Sequence, residues 1–148
     1  MDQVLIDTNI LIYAHQPSET LKYERALRTV ESLGANGVGC ISAQILAEFL
    51  SATMRGRHPI LPVHDALHQA TVLANVFRVL DLTALIVLEA ARGVREHQLS
   101  YFDAQIWATA RLNQVPVIFT EDFIDGRRVE GVQFLNPLVA TFDLAKWS

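Results

Sequence analysis

One feature restricts the folds open to this chain more than any other. Short apolar, largely β-branched runs at Val4–Ile6, Gly37–Ile41, Phe77–Leu80, Val115–Phe119 and Val132–Leu135 alternate with longer stretches whose apolar residues recur at helical spacing. Strands separated by helices pair as parallel neighbours, because each helix carries the chain back across a face of the sheet. The expected fold class is therefore α/β, with a central, mostly parallel sheet covered on both faces. In such sheets the ligand crevice lies beyond the carboxyl ends of the strands.

The helical stretches follow from the same periodicity. Leu21–Leu33 carries Leu27, Val30 and Leu33 on one face, with Gly34 as its expected stop. Ser42 is a natural N-cap for a helix reaching to about Arg55, with Ile45, Leu46, Phe49 and Leu50 as its buried stripe. After the break GRHPILP, helices are expected over His64–Asn75 and Thr83–His97, and a last one opens at Ser100 and carries Phe102, Ile106, Trp107 and Ala110. Asp125–Glu130 reads as a charged loop, and Leu138–Ser148 carries no assignable pattern.

Size and composition bound the answer. A chain of 148 residues, 51% of them hydrophobic, is one ordinary domain spanning 1–148, able to bury roughly 70% of its unfolded surface. No apolar run approaches the ~20 residues that span a bilayer, and MDQVLIDTN lacks a basic leader with a cleavage site, so a soluble, cytoplasmic protein is expected. Cys40, the only cysteine, lies in the apolar run VGCI and is expected to be a buried, inert thiol. The net charge of -4 lacks the basic excess of a protein that grips nucleic acid by charge alone. Chemistry on nucleic acid would have to bring its own cations.

Acids placed in apolar sequence carry the chemical signal. Asp7 ends the first strand, Glu48 lies within the helix after Ser42, Asp103 falls in the first turn of the last helix, and Asp122 follows the fourth strand. Each has a plainer explanation. Asp7 can cap a following helical turn; Glu48 can be a solvated residue beside Arg55; Ser100 and Asp103 match a capping box; Asp122 can belong to a polar turn with Thr120, Glu121 and Asp125. Were the four to meet without a cation, repulsion and burial would raise their pKa values and weaken the fold. An all-oxygen site instead suits Mg²⁺ or Mn²⁺, and two such ions about 3.5 to 4 Å apart serve phosphodiester cleavage.

Taken together, DTNILIYA (Asp7–Ala14), ISAQILAEF (Ile41–Phe49), SYFDAQIWATA (Ser100–Ala110), TEDF (Thr120–Phe123) and VEGVQFLNP (Val129–Pro137) resemble the ordered motifs of the PIN-domain ribonuclease family. Within it they are most similar to VapC-type toxins. The resemblance implies a three-layer α/β/α fold, Mg²⁺- or Mn²⁺-dependent endoribonuclease activity, homodimerisation, and inhibition by a small cognate antitoxin. It also implies that Asp7, Glu48, Asp103 and Asp122 are the acidic metal-site and catalytic residues, with Thr8, Asn9 and Thr120 in support. Glu121 and Asp125 stand as accessory candidates.

Arg92, Arg95, Arg127 and Arg128 are candidates for gripping flanking RNA phosphates, since guanidinium matches phosphate geometry. Competing readings are fewer. His64 and His68 in H-D-x-x-H sit one helical turn apart, as in zinc hydrolases, but lack the usual Glu base and a third ligand. An aspartyl phosphoryl acceptor at Asp7 would want a second Asp where this chain has Asn9. A non-catalytic RNA- or protein-binding module on the same fold is the remaining alternative.

Overall fold

The computed structural model describes residues 3–148. Six strands, β1 (Val4–Ile6), β2 (Gly39–Ser42), β3 (Arg78–Leu80), β4 (Val117–Phe119), β5 (Arg128–Val129) and β6 (Val132–Leu135), form one sheet in the order β3-β2-β1-β4-β6-β5. All neighbours are parallel except the β5–β6 hairpin. The helices are α1 (Thr8–Tyr13), α2 (Leu21–Asn36), α3 (Ala43–Thr53), α4 (Val63–Val76), α5 (Ala84–His97) and α6 (Tyr101–Leu112). The α/β architecture with a central, mostly parallel sheet is thus the one expected.

The central position of β1 explains its composition. Leu5 is paired with Cys40 on one side and with Ile118 on the other, and Val4, Leu5 and Ile6 have no exposure at all. A strand buried on both faces reads as a continuous apolar run. From β1 the chain goes to β2 on one side, while β4 lies on the other, so the sheet order reverses there. Connections leaving the carboxyl ends of β1 and β4 diverge, and a crevice opens between them. Cys40 is buried as expected, with Sγ 3.4 Å from the Val4 carbonyl, and burial pushes its thiol up to about 11.

Several boundaries differ from the sequence reading. Beyond Asp7, where no separate helix was expected, the chain turns at once into α1, capped by the Asp7 carboxylate. Helix α2 passes through Gly34 and stops at Gly37, whose left-handed φ of 74° is the conformation a helix terminator needs. The segment read as a charged loop contains β5, joined to β6 by Glu130 and Gly131, which both have positive φ. That turn matches the right-handed twist of a hairpin, and the Glu–Gly pair is a weaker signal of it than Asn–Gly. The C-terminal stretch closes with a 3-10 turn, Leu144–Trp147, whose Trp147 ring packs edge-on against Phe119 at 5.1 Å.

No helix among the described residues is long and apolar enough to cross a membrane. Helix α5 packs on α6, while α1 meets α2 and α3, and α3 meets α4. The α5–α6 contact is close because Gly93 faces Trp107, a fully buried ring whose indole N–H donates to the Val129 carbonyl at 3.1 Å. A Cβ at Gly93 would lie 2.7 Å from the ring. Gly93→Ala should therefore lower stability by about 1 to 3 kcal/mol despite alanine's better helix propensity. Chemical denaturation of the variant checks this; an unchanged midpoint would mean that α5 shifts at no cost.

Candidate metal centre

Asp7, Glu48, Asp103 and Asp122 all line one cleft of about 340 Å³, together with Thr8, Asn9, Ile12, Ser51, Ala52, Arg55 and Ile106. Four separate elements deliver the acids: the tip of β1, the middle of α3, the first turn of α6 and the segment after β4. Convergence, which the sequence alone left open, is thus a property of the fold.

Asp7 is the most constrained of them, at 3% exposure. Its backbone N–H donates to the Phe119 carbonyl at 2.9 Å, continuing the β1–β4 ladder by one step. One carboxylate oxygen caps α1 by accepting from the Thr8 N–H at 2.7 Å, and the other accepts from the Thr120 hydroxyl at 2.7 Å. Burial nonetheless pushes its pKa up to about 7; the Thr120 and Thr8 bonds oppose the rise, and the nearby Asp122 and Glu48 charges add to it. The capping role expected as the plain alternative is real, and coexists with a carboxylate that faces the cleft.

Thr120 links two of the acids. Its hydroxyl oxygen donates to Asp7 and accepts from the Asp122 N–H at 3.1 Å. Asp122 also has a raised pKa, first from partial burial, then from the charges of Asp103 and Glu121. Asn9 lies beside it, close enough to favour its charged form, yet both polar atoms of the Asn9 amide are buried without a well-formed hydrogen bond.

Glu48 does not pair with Arg55. One of its oxygens accepts from the Thr8 hydroxyl at 2.9 Å and the other from the Gln44 amide at 2.7 Å. Ser100 is the N-cap residue of α6, but its hydroxyl donates to the Asp103 carboxylate at 2.7 Å and makes no capping bond to the backbone. Asp103 is therefore oriented by Ser100 across the start of the helix.

The remaining candidates lie elsewhere. Glu121 is held by the Tyr13 hydroxyl and by Lys22 at 3.1 Å, and Asp125 accepts from the Asn136 N–H at 2.9 Å; neither lines the cleft. The expected phosphate-gripping arginines are not in its wall either. Arg92 is engaged by Glu89 at 2.7 Å and Glu130 at 2.8 Å, and Arg95 by Glu96 at 2.9 Å. Arg127 precedes β5 and Arg128 lies exposed on it. His64 and His68 are exposed on α4, outside the cleft.

Two parts of the site escaped sequence reasoning. Ser51 and Ala52 continue the cleft wall from Glu48 along α3, at the helical spacings i+3 and i+4, and Arg55 extends it just past the helix's end. Gln44 and Gln105 are buried amides behind Glu48. Gln44 lies one turn before Glu48, which was the available signal.

The donors suit a hard divalent cation: carboxylate and hydroxyl oxygens, one carboxylate held back from ionising by burial, and a buried amide beside Asp122. Among the described residues no three Asp, Glu, His or Cys side chains are yet gathered closely enough to form a ready cage.

An acid-lined cleft at the switch point of a mostly parallel α/β sheet defines the class to which this chain's fold and site correspond. The sequence matches the PIN domain family over residues 4–127, and the chain belongs to that family. No curated protein matches it significantly. Among solved structures it is similar to a toxin–antitoxin complex from Klebsiella pneumoniae, with a TM-score of 0.67 at 21% identity, covering 91% of this chain and 98% of that one. It is likewise similar to VapBC2 from Rickettsia felis, solved on a promoter DNA fragment, with a TM-score of 0.67 at 17% identity, covering 90% of this chain and 97% of the other. The sarcin-ricin loop cleaving toxin VapC20 of Mycobacterium tuberculosis aligns with a TM-score of 0.63 at 22% identity over 81% and 90% of the two chains.

Asp7 generates a pH signature. Its folded pKa, about 7, is raised above the ordinary 3.8, so the native state binds the proton more tightly than the unfolded chain. The native state is thus favoured below the unfolded value, and that advantage is lost as pH rises through the window from 3.8 to about 7. Without divalent cations, Asp7→Asn should melt above the wild type at about pH 8, and the difference should vanish towards about pH 4. Thermal melts in EDTA at both pH values check this, and a difference independent of pH would contradict the assignment.

Proposed function

We propose that this chain is a Mg²⁺- or Mn²⁺-dependent endoribonuclease and the toxin of a toxin–antitoxin pair. The observation that carries the reading is the convergence of Asp7, Glu48, Asp103 and Asp122 on one cleft at the switch point of the sheet. Family membership and the toxins among similar structures support it.

In this reading Asp7, Glu48, Asp103 and Asp122 hold the cations. When bound, divalent ions supply charge neutralisation at the scissile phosphate and lower the pKa of water. The chain's own contribution is positional. Thr8 and Thr120 fix Asp7 from two sides, Thr8 and Gln44 fix Glu48, and Ser100 fixes Asp103. Such preorganisation places reacting groups before substrate arrives. Asn9 stands beside Asp122 and favours its charged form, and Arg55 offers a guanidinium to a flanking phosphate. Ile12, Ala52 and Ile106 form the apolar floor. The presence of all four acids in one cleft argues against a binding module alone.

A small inhibitory protein partner is proposed on the same likeness, since similar structures are toxin–antitoxin complexes. Homodimerisation and a cytoplasmic location are proposed on the family resemblance alone.

The test is cleavage of total RNA by the purified chain in Mn²⁺, beside EDTA and a folded Asp7→Asn variant. Cleavage should require the metal and fall by at least about a hundredfold in the variant. Equal cutting by both proteins would overturn the site. Arg55→Ala should weaken RNA binding and reduce the salt dependence of binding by roughly one phosphate contact. A titration against salt reads that slope; an unchanged slope removes Arg55 from the RNA path.

A further inference from the structure

Behind the acid cleft, a row of neutral groups runs from the surface to Glu48. The Tyr101 hydroxyl donates to Gln105 Oε1 at 2.9 Å, Gln105 Nε2 to Gln44 Oε1 at 2.9 Å, and Gln44 Nε2 to Glu48 Oε1 at 2.7 Å. Gln44 Nε2 also donates to the Phe102 carbonyl at 3.1 Å. Both amides are buried, whereas Tyr101 is at the surface.

The polarity of this row is forced. Carboxylates and backbone carbonyls only accept. Gln44 touches one of each, Glu48 and the Phe102 carbonyl, so its NH₂ must face them and its oxygen must face Gln105. Gln105 must then present its own NH₂, leaving its oxygen for the Tyr101 hydroxyl. Turning over either amide would set oxygen against oxygen in a buried place, with an unmet acceptor on each side.

The row also bridges the two helices that supply acids from outside the sheet. Gln44 and Glu48 lie on α3, one turn apart; Phe102, whose carbonyl Gln44 holds, immediately precedes Asp103 on α6. One amide therefore grips Glu48 and the backbone beside Asp103 at once. We infer that Gln44 and Gln105 are positioning residues of the cation site: they orient the Glu48 carboxylate and set its spacing from Asp103. This rests on the metal-site reading above. Neither amide lines the cleft by facing the four acids from within it, so they act through Glu48.

The variants Gln44→Met, Gln105→Met and Tyr101→Phe remove successive members while keeping size. Groups that orient metal ligands typically contribute roughly 10- to 100-fold to affinity. Mn²⁺ binding, read by calorimetry and by the electron paramagnetic resonance of free Mn²⁺, should weaken most in Gln44→Met, less in Gln105→Met and by about twofold in Tyr101→Phe. Thr109→Val is the control, since the buried Thr109 hydroxyl bonds the Gln105 carbonyl at 2.8 Å but stands outside the row. It should lower the melting temperature and leave Mn²⁺ affinity as in the wild type. Tyr101 is at the surface, so its variant tests the row even where a buried substitution prevents folding. Wild-type Mn²⁺ affinity in Tyr101→Phe and in every folded glutamine variant would overturn the inference. A wild-type chain that takes up no Mn²⁺ would overturn the metal-site reading itself, and this inference with it.

Discussion

The carboxylate of Asp7 is the junction on which the rest of the structure depends. It ends the central strand, starts the first helix, and receives the hydroxyl that fastens the tip of β4. Burying a carboxylate is costly, and two short hydrogen bonds offset that cost only in part, because burial still keeps its pKa near 7. A fully satisfied carboxylate would sit below the usual range instead. The unmet remainder faces the cleft. Stability given up at one point is the usual mark of a site built for a charged ligand rather than for the fold itself.

Elsewhere the chain commits its charges to itself. Glu89 and Glu130 gather Arg92, Arg111 and His97 into one network, which holds the β5–β6 turn to α5 and α6. Arg92 also lies over the Trp107 ring at 5.7 Å. The arginine bonds hold the Glu89 carboxylate below its ordinary range, and His97 and Arg92 do the same for Glu130. Exposed pairs of this kind contribute little singly, but a shared network on one turn fixes its place. An arginine so engaged would have to leave Glu89 and Glu130 to grip a phosphate, a commitment that its sequence position near a helix end does not reveal for Arg92. Arg55, bonded only weakly to Ser51 at 3.4 Å, remains available at the cleft.

The central strands β1 and β4 were legible because they are buried throughout, and burial of that kind writes itself as an uninterrupted apolar run, whereas the half-exposed β5 was not. Helix α1 was not legible, since six residues beginning Thr8–Asn9 are too few to display a period. The stop of α2 was misplaced by three residues because Gly34 and Gly37 look alike in sequence. Only Gly37 has the left-handed backbone that ends a helix. The four acids were singled out because each stands in apolar sequence, but their meeting depends on the crossover of β1 and β4, which no local pattern encodes. Gln44 and Gln105 went unnoticed for a related reason: Glu48 and Tyr101 lie one helical turn from them, but the contacts that join α3 to α6 span 58 and 61 residues of the chain.

The net charge of -4 then acquires a meaning for the proposed activity. A cleft walled by four carboxylates repels a polyanion, and among the described residues Arg55 is the one cationic side chain in its wall. Divalent cations held there would relieve the repulsion among the acids and cancel the negative field that an RNA phosphate would otherwise meet. The two ligands are therefore linked: each must raise the affinity of the other by the same factor, because the coupling is a property of the ternary state. An enzyme of this design needs no basic surface to hold RNA in general. In the proposed reading a phosphate is admitted only where the cations and the oriented acids meet it together, which would confine the grip on RNA to the place of cutting.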